Sequence, residues 1–168
     1  MAETKSFTFT ALPKSVSELQ SWSGYDMKDP YCVAAMAIAA LCEYPENKDA
    51  SIDMINTLKG PAELSPMDKQ FIRDRFMDGK GYVPLSYFNG AAPDNNYQPQ
   101  LPYTISLFAN PYSDSQEGYK KLYVRSGGAD SERPITLRNK PSTGEWFLWE
   151  FNGILAGIRT PKADDPWA

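Results

Sequence analysis

The stretch Tyr119-Lys-Lys-Leu-Tyr-Val-Arg-Ser-Gly-Gly-Ala-Asp-Ser-Glu-Arg-Pro-Ile-Thr-Leu-Arg-Asn-Lys-Pro-Ser-Thr-Gly-Glu-Trp-Phe-Leu-Trp-Glu-Phe151 decides the fold. It holds three segments rich in β-branched, aromatic and large apolar residues, Lys121–Arg125, Pro134–Arg138 and Glu145–Glu150, separated by turn formers. Each reads as a strand. Leu122 and Val124 match Ile135 and Leu137 on one face; Tyr123 and Arg125 match Thr136 and Arg138 on the other. One face is therefore core and the other wet. Gly127 and Gly128 can supply the positive φ of a tight or bulged turn, and Ser142-Thr143-Gly144 supplies a second break. The result is an antiparallel meander. Tyr103–Phe108, with Ile105 and Leu107 in the same alternation, adds a fourth strand.

Upstream the periodicity changes. Ser15-Val-Ser-Glu18 has capping-box spacing and opens a short helix to about Trp22. Asp29-Pro30 is a stronger start, and the run from Tyr31 to Cys42 is apolar on every face, the mark of a buried central helix. Pro45 stops it. Ile52, Ile55 and Leu58 keep helical spacing up to Gly60-Pro61, and Ser65-Pro66 opens a further helix that Gly79 ends. Phe7–Thr10 alternates briefly and reads as a weak edge strand. Helices followed by strands predict an α+β fold: an N-terminal helical half (1–80) packed on a C-terminal antiparallel sheet of about four strands (103–160), free to curl toward a small barrel. Residues 81–102 carry four prolines among Tyr82, Tyr87, Phe88 and Tyr97, which predicts an ordered crossing loop; 161–168 is a tail. Tyr87, Asn95, Asn96 and Tyr97 of that loop are either functional or parts of a strap over the gap between helices and sheet.

With 168 residues, 42% apolar and 23% charged, the chain is expected to form one globular domain. A net charge of −4 opposes a nucleic-acid footprint. The N-terminus lacks the apolar core of a secretory signal and no run approaches a membrane span, so a cytoplasmic protein is expected, with no membrane partner. Cys32 and Cys42, ten positions apart on one helix, are separated by roughly 15 Å. They cannot bridge there.

There is no histidine, which removes the commonest general base, the usual Ser-His-Asp and Cys-His sites and His-ligated metals. No P-loop, G-x-G-x-x-G or EF-hand pattern occurs, and no cofactor or metal is expected. Asp68, Asp74 and Asp78 are compatible with a magnesium or acid/base site, or with the solvated side of an amphipathic helix. Around the Gly-rich loop, Arg125, Gly127, Gly128, Asp130 and Arg133 put backbone N–H groups near two guanidinium groups, an arrangement that holds a carboxylate or phosphate; a hairpin turn has the same composition for structural reasons. On the wet sheet face, Tyr123, Arg125 and Arg138 suit partner recognition. If Phe147 and Trp149 point to the core, Trp146 and Glu150 join that face; with the opposite phase the reverse holds.

The strings Asp78–Pro84, Ser86–Ala91, Arg125–Ser131 and Gly144–Glu150, with Asp165-Pro-Trp167, resemble a family of bacterial proteins, chiefly from gut-associated Firmicutes, with no assigned activity. The resemblance covers nearly the whole chain. It implies a bacterial source and a stand-alone domain, and brings no catalytic residues. The expectation is a non-catalytic binding module that uses the polar sheet face and Gly-rich loop to take a protein partner or a small anion. The alternatives are a histidine-independent enzyme using Asp or Glu with Arg or Tyr, and a subunit of a homo-oligomer.

Overall fold

The computed structural model describes residues 3–168. In chain order it contains β1 (Thr4–Phe9), α1 (Val16–Ser21), α2 (Pro30–Leu41), α3 (Lys48–Lys59), α4 (Pro66–Phe76), β2 (Tyr103–Phe108), β3 (Tyr119–Val124), β4 (Arg133–Lys140) and β5 (Glu145–Glu150), with short 3-10 turns between and after them. The fold is α+β, as expected, with helices in the N-terminal half and the sheet built mainly from the C-terminal half. The sheet has five strands rather than four, all antiparallel, in the order β1-β2-β3-β4-β5, curled into a half-barrel. The additional strand is the N-terminal one. Thr4–Phe9 pairs with the whole of β2, and matched hydroxyls, Ser6 to Ser106 at 2.7 Å and Thr8 to Thr104 at 3.3 Å, tie the two strands on the outer face. Six polar-leaning residues carry little strand signal alone; their partner 100 positions downstream supplies it.

The half-barrel wraps α2, which touches all five strands. Every residue from Tyr31 to Leu41 is buried, and Ala34, Ala35, Ala37, Ala39 and Ala40 are fully so. Small side chains bring the helix axis close to the concave face, where Phe9, Ile105, Leu107, Leu122, Val124, Ile135, Leu137 and Leu148 supply the bulk. Asp29 caps the helix by accepting from the Tyr31 amide at 3.0 Å. The buried Ser51 hydroxyl on α3 donates to the Ala40 carbonyl at 2.8 Å, and Met54, Ile55 and Leu58 complete that contact. Asn47 caps α3, and Ser65 with Asp68 forms a capping box on α4.

The crossing loop behaves as a strap. Buried Tyr87 donates its hydroxyl to the Ile154 carbonyl, and buried Tyr97 donates to the Arg159 carbonyl. Both aromatics thus fasten the segment that follows β5, while Asn95 binds the backbone of its own loop at Gly90 and Ala92. Asn96, exposed and at φ +60, forms a left-handed turn.

Candidate functional site

The residues expected to act together fall into three groups. Tyr123, Arg125 and Arg138 stand on the outer, convex face of the sheet. The Arg125 guanidinium lies 5.0 Å from the centroid of the Phe108 ring and 3.7 Å from Glu132, and Phe108 packs on Tyr123 at 6.0 Å. Arg138 sits over both Tyr119 (5.5 Å) and Trp149 (4.6 Å), and these two rings meet edge to face at 5.8 Å. The outcome is a band of alternating aromatic and guanidinium groups across β2 to β5.

Gly127, Gly128, Asp130 and Arg133 form a second group with a different occupation. The Gly127 amide donates to the Ser86 carbonyl at 2.9 Å, and the Gly128 amide to the Ser126 hydroxyl at 3.0 Å. The Gly128 carbonyl accepts from the Arg159 amide at 2.9 Å. Arg133 spends its guanidinium on the carbonyls of Ala156, Gly157 and Ser131 and on the Ser131 hydroxyl, at 2.9 to 3.1 Å. Asp130 pairs with Arg159 at 3.2 Å. These groups clamp the C-terminal segment to the crossing loop. Neither glycine has the positive φ expected of it; what each needs is space, since a Cβ on Gly127 would run into the Ala91 carbonyl oxygen and one on Gly128 into the Tyr97 hydroxyl. Gly144, by contrast, has φ +76, as a turn demands.

Trp146 is alone. It shares the parity of Leu148 and pairs with Asn139 on the core-facing side, so it does not join Tyr123, Arg125 and Arg138. Trp149 does. A β-bulge explains why neither strict phase holds: Leu148 opposes Leu137, yet Glu150 opposes Thr136, leaving Trp149 as the extra residue. Trp149 and the next residue, Glu150, therefore both line the outer face. Perfect alternation puts only one of them there.

Two clefts share Trp149 as a wall. The first, about 290 Å³, lies between the sheet and the loop after β2, lined among others by Tyr112, Tyr119, Lys121, Tyr123 and Glu150. The second, about 360 Å³, lies where the chain leaves α3 past the edge strand β5; Lys59, Pro61, Arg138, Lys140, Phe147 and Trp149 are among its walls. Gly60, at φ +63, permits that exit, with the Phe147 ring where a side chain would be. Lys59 is only 7% exposed, and burial holds its ammonium below the usual lysine range, a shift that Asp68 partly offsets. It donates one hydrogen bond, to the Trp149 carbonyl at 3.4 Å. The sequence contained the signal for Tyr119 and Lys121, which lie four and two residues before Tyr123 in the same alternation. Lys59 gave none, because a lysine in a last helical turn is ordinarily solvated.

Among the described residues no cluster of three or more His, Cys, Asp or Glu side chains could hold a metal. Asp68 is engaged in the α4 cap, Asp74 accepts from Gln70 at 2.8 Å, and Asp78 is an exposed residue at φ +60. No described helix is long and apolar enough to cross a membrane. Both cysteines are free thiols.

No curated protein and no solved structure matches the chain. Residues 11–162 match the family model described as Domain of unknown function (DUF6935), which takes in the four helices, strands β2 to β5 and both clefts, and the chain belongs to that family.

Proposed function

We propose that this protein is a non-catalytic binding module of the bacterial cytosol, and that it engages its partner with the outer face of β3 to β5. The observation that carries the reading is the band of Phe108, Tyr123, Tyr119 and Trp149 interleaved with Arg125 and Arg138, a composition that suits recognition, with Arg125, Arg138 and Trp149 exposed. The Gly-rich loop serves the module by fixing its C-terminal segment.

Edge-to-edge assembly of the sheet is the less favoured reading. On β1 the Thr8 carbonyl takes the Trp22 indole N–H at 3.1 Å, and on β5 the Trp146 amide donates to the Met27 carbonyl at 2.7 Å. Both edges have part of their hydrogen bonding occupied, which blunts strand addition.

A thermal-shift screen of the wild type and of Trp149→Ala/Arg138→Ala against carboxylated, phosphorylated and glycan compounds tests this. Hits that disappear in the double variant are expected. Hits of undiminished size in that variant place binding elsewhere and overturn the reading.

A further inference from the structure

The cleft beside β5 has a composition unlike the rest of this acidic chain. Its charged walls are Lys59, Arg138 and Lys140; no carboxylate lines it. Glu145 is the register partner of Lys140 across the hairpin, and Glu150 lies in the other cleft. None of the three cations forms an ion pair within 4 Å among the described residues. The other walls are flat and apolar: Pro61, Pro141, and the rings of Phe147 and Trp149. Lys59 is the unusual member. A buried ammonium ordinarily has a carboxylate partner, because the transfer from water is otherwise uncompensated. Here it has one long bond to a carbonyl, 3.4 Å, and a face-on approach to Phe151 at 6.0 Å from the ring centroid. An ammonium has three donors, and the bond to the carbonyl is its one hydrogen bond among the described residues.

We infer that this cleft binds a small aromatic carboxylate, its anionic head on Lys59 and its ring between Trp149, Phe147 and the prolines. The volume of about 360 Å³ lies at the lower end of the range for small-molecule sites and fits one or two fused rings. The charge selects the acid: a neutral analogue leaves the ammonium as poorly solvated as before, whereas a carboxylate supplies the direct ion pair that Asp68, acting without one, does not. Arg138 and Lys140 add attraction at the mouth, where solvent weakens it. The inference rests on the binding-module reading and narrows it to one chemistry at one end of the outer face.

The test titrates the full chain with 2-naphthoate and with the isosteric neutral 2-naphthamide, followed by NMR at the Trp149 indole and the Lys59 ε-methylene. Saturable shifts at both sites with 2-naphthoate are expected, with about tenfold weaker binding of the amide. Bound naphthoate also moves the Lys59 titration to higher pH. Lys59→Met erases the preference for the acid, and Lys140→Gln, an exposed substitution, weakens it slightly; if Lys59→Met fails to fold, the wild-type comparison of acid with amide, read at the Lys59 ε-methylene, decides alone. Equal binding of acid and amide overturns the inference, as does a preference that survives Lys59→Met. Shifts confined to Tyr119, Tyr123 and Glu150 overturn it while leaving the binding-module reading standing, and so does an absence of naphthoate binding at millimolar concentration when the metabolite screen gives Trp149-dependent hits.

Discussion

Gly127→Ala separates a structural role for the Gly-rich loop from a ligand-binding one. The new methyl would overlap the Ala91 carbonyl oxygen, with the Ala91 carbonyl carbon at 3.0 Å and Ala92 Cα at 3.5 Å behind it. All three are backbone atoms, and that backbone cannot easily yield. Ala91 donates its amide to the Phe88 carbonyl at 3.2 Å, and the Ala92 carbonyl accepts from the Asn95 and Tyr97 amides at 3.2 and 2.9 Å. Overpacking costs typically about 1–3 kcal/mol. Moving the loop away also strains the bond from the Gly127 amide to Ser86, worth about 1 kcal/mol net. Against this, replacing glycine stiffens the unfolded chain and returns about 0.4–1 kcal/mol. The expected loss is about 2–3 kcal/mol, a large part of the roughly 5–15 kcal/mol that holds a domain together. In urea, followed by tryptophan fluorescence, the midpoint should fall with the slope unchanged. In a thermal scan, the same loss is roughly 5–10 °C. Gly144→Ala is the control, since nothing lies within 4 Å of its Cβ position and only its φ of +76 resists substitution. If Gly127→Ala costs under about 0.5 kcal/mol, the close crossing of Gly127 and Ala91 is not a constraint on the fold.

Other perturbations follow from the same geometry. Ala37→Leu adds three carbons at a fully buried position of α2 and should cost about 1–3 kcal/mol by denaturant melt; a neutral result would mean that the surroundings of the central helix are not closely packed. Burial raises the Tyr97 hydroxyl to about 12, so folding is stabilised while that phenol is protonated; the contribution, at most about 3 kcal/mol, is whole below pH 10 and lost by about pH 12, and Tyr97→Phe should flatten that part of the stability curve. Lys59 acts in the opposite sense. Its lowered value means that the unfolded chain binds the proton more tightly, so stability should rise with pH up to the ordinary lysine range, and Lys59→Met should remove that slope without lowering stability at neutral pH. Burial pushes the Cys32 thiol up to about 12 and raises Cys42 as well, so both should resist a disulfide reagent at pH 8 until the chain unfolds.

What could be read from the sequence was whatever a short window decides. The run from Tyr31 to Cys42 has one physical solution, burial on all sides, and the alternation in β3 and β4 assigns Ile135 and Leu137 to the core without knowledge of the rest. Helix starts were legible for the same reason, because Ser15, Asp29 and Ser65 each accept from an amide two or three residues away. What depends on distant partners was not. Thr4–Phe9 becomes a strand through β2, and the Gly127-Gly128 pair, which reads as a turn or an anion cradle, is required by the crossing loop, whose Ala91 and Tyr97 pass against it. The bulge at Trp149 is the most consequential case. It turns on one unpaired residue in β5, which the pattern Trp-Phe-Leu-Trp-Glu does not announce, and it brings Glu150 onto the outer face beside Trp149, which the phase of Leu148 already places there. That phase, which decides between the two tryptophans, matters for function. Trp146 on the outer face would have left Arg138 without the ring it lies against at 4.6 Å, and the two clefts without their common wall. Bulges recur where a strand must re-aim a side chain; here the side chain re-aimed is Glu150, which joins Trp149 on the wall of the cleft beside the loop after β2.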